Sequence, residues 1–194
     1  MPIGCCSLVP EIATRLARSR PRSVLDLGIG MGFYGAVVRQ WLDFGVRPWR
    51  TRLVGIEGFA GYRNPCWDLY DEVIVSPIEA YLNQSTEMWD AILLLDVLEH
   101  FSHSVGERIL VTARERLSAG GQFFVGTPAV WMEQGAAYDN ELERHRSLWT
   151  AEQLREAGFE VLVSGELDRF GNRMLLGVAT SRVDIPSVHA GMAG

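Results

Sequence analysis

The sequence predicts an α/β protein in which parallel strands alternate with helices, and three observations carry that prediction. Val24-Leu25-Asp26-Leu27 is a short apolar run that closes on Gly28, Gly30 and Gly32 and then on a helical pattern. A strand, a glycine turn and a helix form the first half of a nucleotide-binding unit. Further apolar runs at 52–57, 73–75, 89–96 and 122–127 recur along the chain, with helix-like or irregular stretches between them. The run at 89–96 is apolar on both faces, as a central parallel strand must be.

The elements follow in order. Residues 7–19 place Leu8, Ile12 and Leu16 on one face, which predicts a leading helix over 1–21 that packs against the domain and ends before Pro21. The strand at 24–27 and its glycines come next. The helix at 33–44 carries Phe33, Val37, Trp41 and Phe44 at helical spacing. A loop containing Pro48 leads to the second strand, 52–57, which ends in Glu57. Residues 59–69 hold Gly61, Asn64 and Pro65, so any helix there is short. After the third strand come Pro77, Ile78 and Glu79, and after the fourth come Asp96 and Val97. The pattern at 104–117 predicts an amphipathic helix with Val105, Ile109, Leu110, Ala113 and Leu117 inward, stopped by Gly120-Gly121 before the fifth strand. Residues 129–149 form a roughly twenty-residue connection rich in polar and aromatic side chains, a length that in a compact domain marks function or disorder. Thr150, with Glu152 and Gln153 behind it, reads as a helix N-cap, and Gly158 as that helix's end. Residues 159–164 and 173–180 alternate around Arg169-Phe170-Gly171-Asn172 as an antiparallel hairpin, and 182–194 reads as a frayed tail.

Composition bounds the function. One domain, 1–181, accommodates the length of 194 residues. The net charge is −6, all 18 basic residues are arginine, and no basic cluster stands out. This argues against a nucleic-acid partner. It also rules out a lysine Schiff base or lysine general base. Cys5, Cys6 and Cys66 have neither zinc spacing nor the even count of a disulfide framework, and read as reduced thiols of a cytoplasmic protein. No apolar run reaches membrane-spanning length, and no signal-peptide pattern opens the chain.

The glycine turn narrows the ligand. A dinucleotide fingerprint wants glycines at positions one, three and six; counted from Gly28 the sixth is Phe33, and only a count shifted to Gly30, Gly32 and Gly35 fits. Asp26 at the strand end would repel a pyrophosphate and suits a cationic ligand. S-adenosylmethionine, with its sulfonium and ammonium groups, meets that demand. An acid at the end of the second strand accepts hydrogen bonds from ribose hydroxyls, which assigns Glu57.

Asp26-Leu27-Gly28-Ile29-Gly30-Met31-Gly32 resembles the first motif of class I S-adenosylmethionine-dependent methyltransferases of the small-molecule type. Asp96-Val97-Leu98-Glu99-His100 looks like their fourth motif, and His145-Arg146-Ser147-Leu148-Trp149-Thr150 is similar to a run they share. The resemblance covers about residues 22–180. It implies a Rossmann-like, doubly wound seven-stranded sheet, mostly parallel with one antiparallel strand near the C-terminus. The implied reaction is methyl transfer from S-adenosylmethionine to a small-molecule acceptor, an O- or N-nucleophile of a sugar, quinone or natural product. Asp26, Gly28, Gly30, Gly32, Glu57, Ile78, Glu79, Asp96 and Val97 are then the cofactor-binding candidates. Ile78 would cover the adenine, and Glu79 is either its acid, shifted along the chain, or a helix N-terminal acid.

A base is needed where the acceptor must lose a proton. His100, His145 and Tyr138 are the catalytic candidates, with His103 and Asp139 beside them. The 129–149 connection reads as a lid over the acceptor, with Asp139, Asn140, Glu143, His145 and Arg146 to orient it and Trp131 and Tyr138 to stack on it. Its alternative use is packing or a homodimer contact. No metal-ligand spacing is present, so metal-independent catalysis is expected. Two other classes remain open: a catalytically silent cofactor-binding or partner protein, and a nicotinamide-dependent oxidoreductase.

Overall fold

A computed structural model describes residues 4–167, 171 and 173–181. Five helices and seven strands are placed: α1 Val9–Ser19, β1 Ser23–Leu27, α2 Phe33–Leu42, β2 Arg52–Glu57, β3 Glu72–Val75, α3 Ile78–Gln84, β4 Trp89–Leu95, α4 His103–Arg114, β5 Leu117–Pro128, α5 Ala151–Glu156, β6 Glu160–Leu167 and β7 Arg173–Thr180. Short 3-10 turns lie at Ala60–Tyr62, Pro65–Leu69, Leu98–His100 and Glu141–Glu143.

The strands form one seven-stranded sheet in the order β3-β2-β1-β4-β5-β7-β6. β1 to β5 pair in parallel, and β7 runs antiparallel to both β5 and β6. This is the expected doubly wound sheet with one reversed strand. The hairpin turn expected at Arg169-Phe170-Gly171-Asn172 and the tail at 182–194 lie outside the described residues except for Gly171.

Strand alternation divides the core into two layers. Leu25, Leu27, Ile92 and Leu94 face α3, α4 and α5, together with Ile78, Leu82, Ile109, Leu110 and Leu154. Val24, Leu53, Leu93 and Phe124 face α1 and α2, together with Leu8, Ile12, Leu16, Val37 and Val38. Leu8, Ile12 and Leu16, the residues the spacing selected, are all buried, Leu8 on the turn just before α1 and the other two on the helix.

Two element readings need correction. Trp41 in α2 is 55% exposed, and Phe44, just past the end of the helix, is 77% exposed. The inward face runs through Tyr34, Val37, Val38 and Arg39 instead. Arg39 is buried because its guanidinium binds Asp43 at 2.8 Å, Asp71 at 2.9 Å and the carbonyls of Thr51 and Leu69. That network ties the helix to the loop before β2, so polar contacts rather than apolar spacing set its rotation. The other correction is at α4, which ends at Arg114; Leu117 already pairs with Trp89, and the Gly120-Gly121 stretch is a bulge within β5 before Gln122 pairs with Ala91.

Candidate functional site

The sheet order reverses direction between β1 and β4, and open α/β sheets bind ligands at such a point, beyond the carboxyl ends of the strands. A cavity of about 360 Å³ lies there, within the usual range for small-ligand sites. Four of the five parallel strands, β1 to β4, deliver part of its wall. β1 supplies Gly28 and Gly30, β2 supplies Glu57 and Gly58, β3 supplies Pro77, Ile78 and Glu79, and β4 supplies Asp96, Val97 and His100. Asn140, Leu142, Glu143 and Arg146 of the 129–149 connection close the far side.

Seven of the nine cofactor-binding candidates therefore meet at one cavity. Gly28 has φ +80, and a Cβ there would lie 2.5 Å from Val97 Cγ2, so glycine allows the β1 and β4 turns to meet. Glu57 is 6% exposed. Its Oε2 accepts from the Gly30 amide at 2.8 Å and its Oε1 from the Phe59 amide at 2.8 Å. Burial raises its pKa, opposed by those amides, while the charge of Glu143 raises it further. A carboxylate has about four lone-pair sites, so acceptor capacity remains for ligand hydroxyls. Glu79 opens α3 and pairs with Arg108 at 3.4 Å, so it is both a helix N-terminal acid and a cavity group.

Asp96 adopts φ +59, a left-handed conformation that non-glycine residues reach at functional turns. Tyr34 donates to its carboxylate at 3.3 Å, and the Cys5 amide donates to the same tyrosine oxygen at 3.1 Å. The segment leading into α1 thus reaches the site as well as packing on the sheet. Burial raises the Asp96 pKa.

Asp26 and Gly32 do not line the cavity. Asp26 shares the sheet face of Val24, so alternation turns it toward α2 and not toward the strand ends. Tyr70 donates to it at 2.7 Å. Gly35 makes room for that ring, because a Cβ at Gly35 would collide with it. Burial raises the Asp26 pKa to about 7, partly offset by the Tyr70 hydrogen bond and reinforced by the charge of Glu57. Gly32 instead caps α2 with φ +84, against Cys66.

Of the catalytic candidates, only His100 lines the cavity. Burial, then the neighbouring His145, lowers its pKa to about 4, so the ring is neutral at physiological pH. The His145 ring lies edge-on to His100 with centroids 4.9 Å apart, and its Nδ1 is 2.7 Å from the Met132 carbonyl. Tyr138 is 57% exposed and touches the site only through the edge of the Tyr62 ring. His103 stacks on Trp149 at 4.8 Å. Asp139 and Trp131 are outside the wall, whereas Asn140, Glu143 and Arg146 are in it.

Sequence reasoning missed Tyr62, which donates to Glu143 at 2.7 Å and accepts from Asn140 at 3.1 Å, linking the 60–62 turn to the connection. It also gave Glu99 no role. Glu99 is buried, Thr127 donates to it at 3.0 Å, and it lies with His100 and His145 in a group whose ligand atoms are within 4.8 Å of one another. These residue types are ones that can hold a metal ion. The separation of 45 residues between His100 and His145 hid the group. Among the described residues no helix is long and apolar enough to cross a membrane.

No family model matches the sequence, and no curated protein is similar to it. Solved structures are. An O-methyltransferase family protein from Burkholderia thailandensis aligns with 92% of this chain at 17% identity and a TM-score of 0.64, and this chain spans 56% of its length. The 1,6-didemethyltoxoflavin-N1-methyltransferase of the same organism, solved with 1,6-didemethyltoxoflavin and S-adenosylhomocysteine, aligns with 91% at 20% identity and 0.64, covering 79% of that chain. A SAM-dependent methyltransferase from Archaeoglobus fulgidus aligns with 89% at 14% identity and 0.63, covering 94% of that chain. At these identities the likeness concerns architecture, and the architecture of this chain is that of the S-adenosylmethionine-dependent methyltransferases.

Proposed function

We propose that this chain transfers the methyl group of S-adenosylmethionine to a small-molecule acceptor. The observation that carries the reading is the charge of the cavity: Glu57, Glu79, Asp96 and Glu143 line it against the single arginine Arg146. Four carboxyl groups around one space disfavour a pyrophosphate and favour a cationic ligand. Glu57 is positioned to accept from ribose hydroxyls, and the buried side chains of Ile78 and Val97 offer apolar walls to a ring. The solved relative that holds S-adenosylhomocysteine supports the same assignment.

The cofactor supplies an already activated methyl group, bound to a sulfonium. The chain's own tasks are alignment and exclusion of water. Asn140, Glu143 and Arg146 present amide, carboxylate and guanidinium groups to an acceptor from the side opposite the glycine turn. His100, neutral and facing the cavity, has a ring nitrogen lone pair able to take an acceptor proton. A sugar, quinone or natural-product-like acceptor with a hydroxyl or amine fits this polar wall.

Calorimetry with purified protein tests the reading. S-adenosylmethionine and S-adenosylhomocysteine should bind one to one and NAD should not. Binding of NAD with none of either methionine ligand refutes it.

A further inference from the structure

We propose that Glu99, His100 and His145 form a site for one divalent transition-metal ion in the cavity wall. Two imidazoles and one carboxylate are a ligand set that leaves coordination positions open and suits Mn²⁺, Fe²⁺, Co²⁺ or Zn²⁺. The ligand atoms of the three side chains lie within 4.8 Å of one another. Donors about 2.1 Å from one such ion are roughly 3.0–3.5 Å apart in tetrahedral or cis-octahedral arrangement, so side-chain adjustments that shorten the widest separation by roughly 1–2 Å complete the site.

The surroundings are those of metal ligands. A ligating histidine donates its second ring N–H to a carbonyl or carboxylate, which fixes the tautomer and aims the other nitrogen at the ion. His145 Nδ1 is 2.7 Å from the Met132 carbonyl, and His100 Nδ1 is 3.4 Å from the Arg144 carbonyl. Those contacts leave each Nε2 with its lone pair. Glu99 is buried, and Thr127 donates to its Oε2 at 3.0 Å, which fixes the orientation of the carboxylate.

The backbone assembles the three residues. Glu99 and His100 lie on the 3-10 turn after β4, while His145 comes from the 129–149 connection. The amides of Arg146 and Ser147 donate to the Glu99 carbonyl at 2.8 and 3.1 Å, clamping that connection to the turn. Arg146 Nη1 donates to the His100 carbonyl at 2.8 Å.

The ion's use rests on the methyl-transfer reading; its binding does not. Bound through His100 Nε2, it would occupy the lone pair that is otherwise open to an acceptor proton; it would instead take an oxygen of the acceptor in an open position and favour loss of that oxygen's proton to solvent. The oxygen then forms the new bond to the methyl carbon as the carbon–sulfur bond breaks, leaving S-adenosylhomocysteine.

The test titrates chelator-treated, full-length protein with Co²⁺ and follows its visible d–d absorption, with S-adenosylhomocysteine calorimetry on the same samples. One equivalent of Co²⁺ should bind, at least tenfold more weakly in His145→Ala and in Glu99→Gln and unchanged in His103→Ala. Glu99→Gln keeps the volume and an acceptor for Thr127, so its fold should persist even if His145→Ala loosens the connection. Absence of the Co²⁺ bands, or equal binding by wild type and both ligand variants, overturns the proposal. If S-adenosylhomocysteine still binds in that case, the methyl-transfer reading stands; if it fails to bind while Co²⁺ does, that reading falls and the metal site remains.

Discussion

Replacing Glu57 tests how the site is built, because this side chain both closes the glycine turn and faces the cavity. Glu57→Ala removes the acceptor of the Gly30 and Phe59 amides, each now 2.8 Å from a carboxylate oxygen. A hydrogen bond to a charged group contributes about 1.5–3 kcal/mol, and an orphaned buried donor costs about 1–3. The Gly30 amide is buried and the Phe59 amide is reached more readily by water, so the two losses together should amount to about 2–4 kcal/mol of stability. Loss of the ribose acceptor adds about 1–3 kcal/mol in ligand affinity, roughly 5- to 150-fold. Glu57→Gln retains one acceptor oxygen but turns an NH₂ group toward the other amide, and should lose about half of each. Urea denaturation gives the stability, and titration calorimetry with S-adenosylhomocysteine gives the affinity. An alanine variant with wild-type midpoint and affinity within twofold refutes the argument. So does a glutamine variant weaker than alanine in both.

Three further outcomes follow from other parts of the chain. Burial raises the Asp26 pKa to about 7, so the folded protein keeps a proton that the unfolded chain releases above about pH 4. Its stabilising share is full below that pH and is lost as pH rises through 7. The difference in unfolding free energy between Asp26→Asn and wild type should therefore shift toward the variant by about 2–4 kcal/mol from pH 4.5 to 8, and a constant difference across that range contradicts it. Arg39→Ala strands Asp43, which is 1% exposed, and should cost about 3–5 kcal/mol in denaturant unfolding. Gly28→Ala combines a left-handed backbone with a clash against Val97; about 2–4 kcal/mol of stability should be lost, with weaker S-adenosylhomocysteine binding in calorimetry.

Local signals in the sequence reached far. The second strand was read with its observed bounds, Arg52–Glu57. The Thr150 N-cap is a full capping box with Gln153, because that motif depends only on neighbours. What depended on partners far along the chain was not legible. Trp41 and Phe44 fit a helical stripe, yet the Arg39 network turned them outward. Asp26 stands at the end of the first strand, but period-two alternation gave its carboxyl to Tyr70, 44 residues away. Glu99, His100 and His145 became neighbours only through hydrogen bonds between a turn and a connection that no pattern pairs.

The 129–149 connection reads from sequence as a lid, and its hydrogen bonds show where opening would be costly. Residues 140–147 are tied down: Asn140, Glu143 and Ser147 are buried, Tyr62 bonds both Asn140 and Glu143, and two amides hold the Glu99 carbonyl. Lifting this half would orphan several buried groups at about 1–3 kcal/mol each. Val130, Trp131, Met132 and Tyr138 are exposed, so displacing their half costs far less. Under the proposed methyl transfer, access for an acceptor is therefore cheapest past residues 130–138. That half is not independent of the histidines. Met132 accepts from His145 Nδ1, the Gln134 carbonyl accepts from the His145 amide at 3.0 Å, and Gln134 Nε2 donates to the Glu143 carbonyl at 2.6 Å. An acceptor that moves residues 132–134 thus acts on the ring facing His100, and couples its own arrival to the geometry of the group that would activate it.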